Sequence, residues 1–152
     1  MSNKIREVHF KILHNVYPTN SQISSFVDIS DLCVFCKVEK ETLFHLFYHC
    51  NQDKPLWQSL GLYLSHFVKC DLNFSLKDIF LYFSGSDCAI DSVVNFFVLH
   101  CKFFIHKNKF LKTLPRLEAF IAEISLVVKS LKLIDNSKNK KFLKYYVQFF
   151  PI

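Results

Sequence analysis

Only two glycines and four prolines punctuate the 152 residues. That is too few breakers for the tight turns of a many-stranded sheet protein, so long helices are favoured. No run alternates apolar and polar residues with a period of two, and there is no internal repeat or low-complexity tract. The opening stretch MSNKIREVHF lacks the apolar core of a secretory signal. The chain is therefore expected to stay inside the cell, nuclear or cytoplasmic, with its cysteines reduced. The most apolar segment, 88–105, contains Asp91 and Lys102 and leaves only ten uncharged residues from Ser92 to Cys101. That is too short to cross a bilayer, so a buried helix is expected and a membrane is not expected as a partner. Gly-x-Ser-x-Gly elbows, His-Glu-x-x-His helices and phosphate-cradling glycine loops are all missing, and no enzymatic activity or small-molecule substrate is expected.

What the chain does have is aromatic mass and a lopsided charge. Eighteen phenylalanines and 51% apolar residues predict a globular chain with a substantial core. The net charge of +6 is unevenly placed: residues 1–101 hold 8 basic and 10 acidic side chains, whereas 102–152 hold 11 and 3. A basic half of this kind produces a field that attracts phosphate backbones.

Apolar residues at helical spacing predict a first helix through Ile5, Val8, Ile12, Leu13 and Val16, ended by Tyr17-Pro18. Thr19 or Asn20 is expected to cap a short second helix, and the periodicity then fails between Asp28 and Glu41. Glu41 to Cys50 reads as helical. Asp53 with Pro55 opens a helix whose face is Leu56, Leu60, Tyr63, Leu64 and Phe67. A short element is expected from Ser75 to Phe83. The Gly85-Ser86-Asp87 turn leads into an apolar run to about Leu111, and Pro115 precedes an amphipathic helix through Leu131. After an Asp135-Asn136-Ser137 turn, a last helix sets Phe142, Tyr145, Tyr146, Phe149 and Phe150 against Lys138, Lys141 and Lys144. The fold class predicted is all-α, a helical domain with a small zinc-knuckle-like loop in the N-terminal third. Residues 1–70 form a helical zinc-binding region, and 71–152 form a Phe-rich helical region packed with it as one unit.

The most specific signal is Cys-x2-Cys-x8-His-x4-Cys over Cys33, Cys36, His45 and Cys50. Soft thiolates and an imidazole at this spacing suit tetrahedral Zn²⁺, and four protein ligands leave no open position, as in structural sites. One structural Zn²⁺ is expected. On regular helix geometry His49, four residues after His45, shares its face better than Cys50 does. Cys50 reaches the ion if the helix ends or unwinds near Tyr48. Cys70, Cys88 and Cys101 lack ligand spacing and are expected to be buried as small apolar residues.

The segment Lys4 to Leu64 resembles the reverse-transcriptase zinc-binding region of LINE-type non-LTR retrotransposon proteins. The residues that carry the likeness are Ile5 to His14, the Tyr17-Pro18 turn, the Cys-x2-Cys pair, Glu41 to Cys50 and Trp57. Phe104 to Lys107 and the helix after Pro115 are similar to the extreme C-terminal segment of the same proteins. The resemblance implies that Cys33, Cys36, His45 and Cys50 are the ligands, and that RNA is a partner. The chain holds no Asp-Asp pair, so the polymerase carboxylates of that family have no counterpart here, and nothing resembles its endonuclease.

Lys102, Lys107, Lys109 and Lys112 form one basic group, and Lys138, Lys141 and Lys144 a second beside Tyr145 and Tyr146. Lysines with neighbouring aromatics suit sequence-independent binding of RNA or single-stranded DNA. The alternative is a structural or protein-interaction module docking on a reverse transcriptase domain in trans or on another partner.

Overall fold

A computed structural model describes residues 2–85, 87–134 and 136–150. Among them are seven α-helices and one π-helical turn: α1 Asn3–Leu13, α2 Asn20–Ile23, the π turn His45–His49, α3 Lys54–Val68, α4 Leu76–Phe80, α5 Cys88–Leu111, α6 Leu117–Leu133 and α7 Ser137–Phe149. No strand is present among the described residues, and an isolated antiparallel bridge joins Leu32 to Lys40. The all-α expectation with a small metal loop therefore holds.

Most boundaries follow local chemistry. Asp87 caps α5 by accepting from the Ala89 and Ile90 amides, Asn136 caps α7 through the Lys138 amide, and Ser75 with Asp78 closes a capping box on α4. Ser86 and Asp135, expected in turns, lie outside the described residues. α1 stops short of Val16, because Asn15 turns left-handed at φ 53°. Only the last part of the stretch read as helical from Glu41 becomes a helix, and it finishes as the π turn.

α5 is the central helix. At 24 residues it is long and apolar enough to span a bilayer by those two measures, well beyond the ten-residue uncharged stretch read from the sequence. In this fold 56% of its most apolar window is covered by other parts of the chain. Phe97 on α5 is fully buried among Tyr63, Phe120, Tyr146 and Phe150, with ring centroids 5.4–6.4 Å apart. Tyr146 and Phe150 are thus core residues, and the exposed stacking role considered for the last helix does not fall to them. One continuous set of buried side chains runs from Val8 through Cys33, Phe47 and Trp57 to Phe150. Cys101 is buried as expected, but Cys70 and Cys88 are exposed. The first sits in the loop after the left-handed Lys69 and the second at the first position of α5, where neither is covered by packing.

α1 lies along α5 through a polar clasp. The Lys102 Nζ is 2.9 Å from His9 Nδ1, and Lys102 is only 1% exposed. Burial lowers the lysine from 10.5 to about 7 and His9 to about 4. Between those lysine values the unfolded chain holds a proton that the folded chain releases, so stability rises with pH across that window. Below about pH 7 the penalty of the buried ammonium is fully felt. Lys102→Met is expected to raise stability by a few kcal/mol near neutral pH and to flatten this slope. Urea unfolding of both proteins at about pH 6 and about pH 9 measures it. Parallel pH dependence in the two proteins would contradict the assignment.

Candidate metal centre and basic surface

The metal loop is a miniature hairpin. The Cys33 amide donates to the Glu39 carbonyl at 2.8 Å, the Glu41 amide to the Asp31 carbonyl at 2.8 Å, and the Lys37 amide to the Cys33 carbonyl at 3.0 Å. Lys37 takes a left-handed φ of 59°, which turns the chain after Cys36 and leaves both thiols facing the same point. Backbone amides of Phe35 and Cys36 point at the Cys33 sulfur, and those of Gln52 and Asp53 at the Cys50 sulfur. These are donors suited to thiolates rather than thiols.

The donor atoms of Cys33, Cys36, His45 and Cys50 all lie within 4.8 Å of one another. The Cys33 and Cys50 sulfurs are 3.8 Å apart, and Cys36 Sγ is 3.3 Å from His45 Nε2. Two sulfurs bonded to one tetrahedral Zn²⁺ at about 2.3 Å stand about 3.8 Å apart, and a sulfur and an imidazole nitrogen about 3.5 Å apart. These two pairs already stand at the separations zinc requires, and the donor set fits the ion. The hydrogen bond between Cys33 and Cys50 raises the Cys33 thiol and lowers that of Cys50.

The π turn decides between His49 and Cys50. The Cys50 amide donates to the His45 carbonyl, five residues back, at 2.8 Å, and Cys50 itself is extended. An i to i+5 ring brings the fifth residue, not the fourth, over His45. His49 is exposed and lines a separate cavity. On its far side the His45 ring places Nδ1 3.4 Å from Glu39 Oε2, an arrangement that orients the imidazole and frees Nε2 for a metal.

Two acidic residues to which the sequence assigned no part in the metal site lie beside this centre. Glu41, with no exposed surface, accepts from the Asn20 amide at 2.8 Å and the Val34 amide at 2.9 Å, and pairs with Lys109 at 2.6 Å. Lys109 also donates to the Pro18 carbonyl at 2.7 Å and lies over the Tyr17 ring. A lysine of α5 thereby ties the Tyr17-Pro18 turn and the Cys-x2-Cys loop to the central helix. Asp53 is buried with both carboxylate oxygens unpartnered, and burial pushes it up to about 8. It occupies the N-cap position of α3 without making the cap hydrogen bond expected of it.

The first basic group needs correction. Lys102 and Lys109 are buried at 1% and 6% exposure and engaged with His9 and Glu41, so neither is available to a phosphate. α5 is apolar nearly all round, and its lysines go where polar partners on α1 and the metal loop receive them. Lys107 is half-buried and paired with Glu123, whereas Lys112 is exposed. Lys138, Lys141 and Lys144 are exposed on α7, on the side away from buried Tyr146. Lys107 instead shares a groove of about 550 Å³ with Lys4, Lys11, Phe103, His106 and Phe110, where α1 meets the last turns of α5. Lys4 and Lys11 stand seven residues apart on one face of α1, a spacing that marks them in the sequence once α1 is placed on α5.

A helical chain in which three cysteine sulfurs and an imidazole nitrogen close on one point has the makings of a zinc-binding module. More particularly, residues 1–57 match the family model for zinc-binding in reverse transcriptase. No curated protein and no solved structure matches the chain.

Proposed function

We propose that the chain is a zinc-stabilised module that binds RNA or single-stranded DNA without a catalytic step of its own, related over its length to the C-terminal part of LINE-type reverse transcriptases. One Zn²⁺ per chain, held by Cys33, Cys36, His45 and Cys50, acts as a staple. The observation that carries the binding role is the α1–α5 groove. Lys4, Lys11 and Lys107 face it together with Glu7, Phe103, His106 and Phe110; Lys4 has no acidic partner among the described residues, Lys11 and Lys107 are paired with Glu7 and Glu123, and Phe110 is 62% exposed. Cations beside open aromatic faces supply both elements of single-strand recognition, phosphate neutralisation and base stacking.

Replacing Lys4 and Lys107 together by alanine is expected to weaken binding of a single-stranded oligonucleotide similarly for all sequences. The slope of log affinity against log salt should fall by about 1 for each phosphate that is no longer neutralised. Fluorescence anisotropy at several salt concentrations reads both quantities. Undetectable or salt-insensitive binding by the parent protein would overturn the proposal. The second reading, docking on a protein such as a reverse transcriptase domain, is favoured by exposed apolar side chains around the metal loop. Phe26 is 90% exposed, Val38 77% and Val27 53%.

A further inference from the structure

Beside the metal centre lies a second cavity of about 580 Å³. It is formed where the loop after α3 folds back over that helix. Gly61 permits the close approach, since a Cβ there would stand 2.5 Å from the Leu72 carbonyl oxygen. The Leu72 amide then donates to Ser65 Oγ at 2.8 Å and fixes the loop in place. The walls are rings. Trp57, held by its indole donating to the Phe47 carbonyl at 2.8 Å, packs edge to face on Phe74, with centroids 5.9 Å apart. Tyr48 and His49 form a second edge-to-face pair at 5.1 Å. Lys54, Gln58 and Asn73 also line it, beside Leu62 and the exposed carboxylate of Asp71, and the side chains of Lys54, Gln58 and Asn73 have no hydrogen-bond or ion-pair partner among the described residues.

We infer that this cavity takes an unstacked base of a single-stranded nucleic acid, the rings of Tyr48 and His49 covering the base and Gln58 and Asn73 reading its edge. Lys54 then meets the adjoining phosphate. This deepens the nucleic-acid reading given above and rests on it. Base recognition outside a duplex uses these groups: aromatic faces for stacking, amides that donate and accept together, and a cation for the backbone. An apolar peptide side chain would leave both amides and the lysine unpaired. The inference also gives the metal a second use. Tyr48 and His49 belong to the π turn between ligands His45 and Cys50, so the staple holds two of the cavity's rings in position.

Trp57 is the single tryptophan of the chain, and its emission reports occupancy directly. The zinc-loaded full chain is titrated with an oligouridylate of about ten nucleotides and with an abasic ribose-phosphate oligomer of the same length. The base-bearing strand is expected to quench Trp57 and to bind about tenfold tighter than the abasic one. Gln58→Ala with Asn73→Ala, two exposed positions, should remove that difference without changing helical content, and His49→Ala should reduce it. Equal binding of both oligomers with unchanged emission would overturn the base cavity while leaving the phosphate-binding groove standing. Binding of neither oligomer would remove both readings. Quenching by a phenylalanine-bearing peptide but not by the oligonucleotide would overturn the inference in favour of a protein occupant.

Discussion

Chelating the metal is expected to unravel residues 20–42 while leaving α5, α6 and α7 folded. Between positions 20 and 42 only Cys33, Phe35 and Glu41 are buried, and the regular structure there amounts to four helical residues and one isolated bridge. So little buried apolar surface does not offset the entropy of ordering such a stretch. Metal coordination has to supply the difference, and structural zinc contributes apparent binding energies on the order of 10–16 kcal/mol in small fingers. The helices beyond pack on one another around Phe97, Phe104 and Phe120, apolar contacts that do not involve the ion. Hydrogen exchange with and without chelator should show protection lost in the metal loop and retained on α5, and metal analysis should return one Zn²⁺ per chain. Cys36→Ser should reproduce the loss, while Cys70→Ser, exposed and remote from the cluster, should not. Unchanged protection of the loop would show that no metal staples it. Uniform loss across the chain would show that loop and helices unfold as one cooperative unit.

Breaking the Glu41–Lys109 pair should cost about 3–5 kcal/mol from either side, the range seen when one partner of a buried ion pair is removed. Glu41→Ala strands the lysine and two loop amides, and Lys109→Ala strands a carboxylate that has no exposed surface. Replacing both by methionine should recover much of that loss, because the desolvation penalty disappears with the charges. It should not restore zinc affinity fully, since the Val34 amide, which lies between the first two cysteine ligands, still loses its acceptor. A double-mutant cycle by denaturant unfolding, with zinc affinity measured in parallel, checks both statements. Single variants costing under about 1 kcal/mol would place the pair in solvent rather than in the core.

Residue spacing made the metal ligands readable, because coordination geometry constrains it directly. The amphipathic helices were readable for a related reason. α3, α6 and α7 each keep one apolar face, and that face makes each of them legible as a helix. α5 resisted the same treatment. With apolar residues nearly all round, its periodicity carries no record of which neighbour covers which side, so Lys102 and Lys109 looked like surface residues. The long-range partners that bury them, His9 and Glu41, are 93 and 68 positions away along the chain. Nor does any local pattern announce Gly61, whose missing side chain matters only because Leu72 returns to it.

The five-residue interval from His45 to Cys50 has an effect beyond ligation. One surplus residue in a helical winding displaces everything after it by roughly a hundred degrees of azimuth. That displacement sends the Cys50 sulfur inward and turns the neighbouring imidazole of His49 outward. A regular α-helical turn over the same sequence would exchange the two, handing the ion a second histidine and stripping a ring from the outer surface. Coordination inside and contact outside are thus written by the same inserted amino acid.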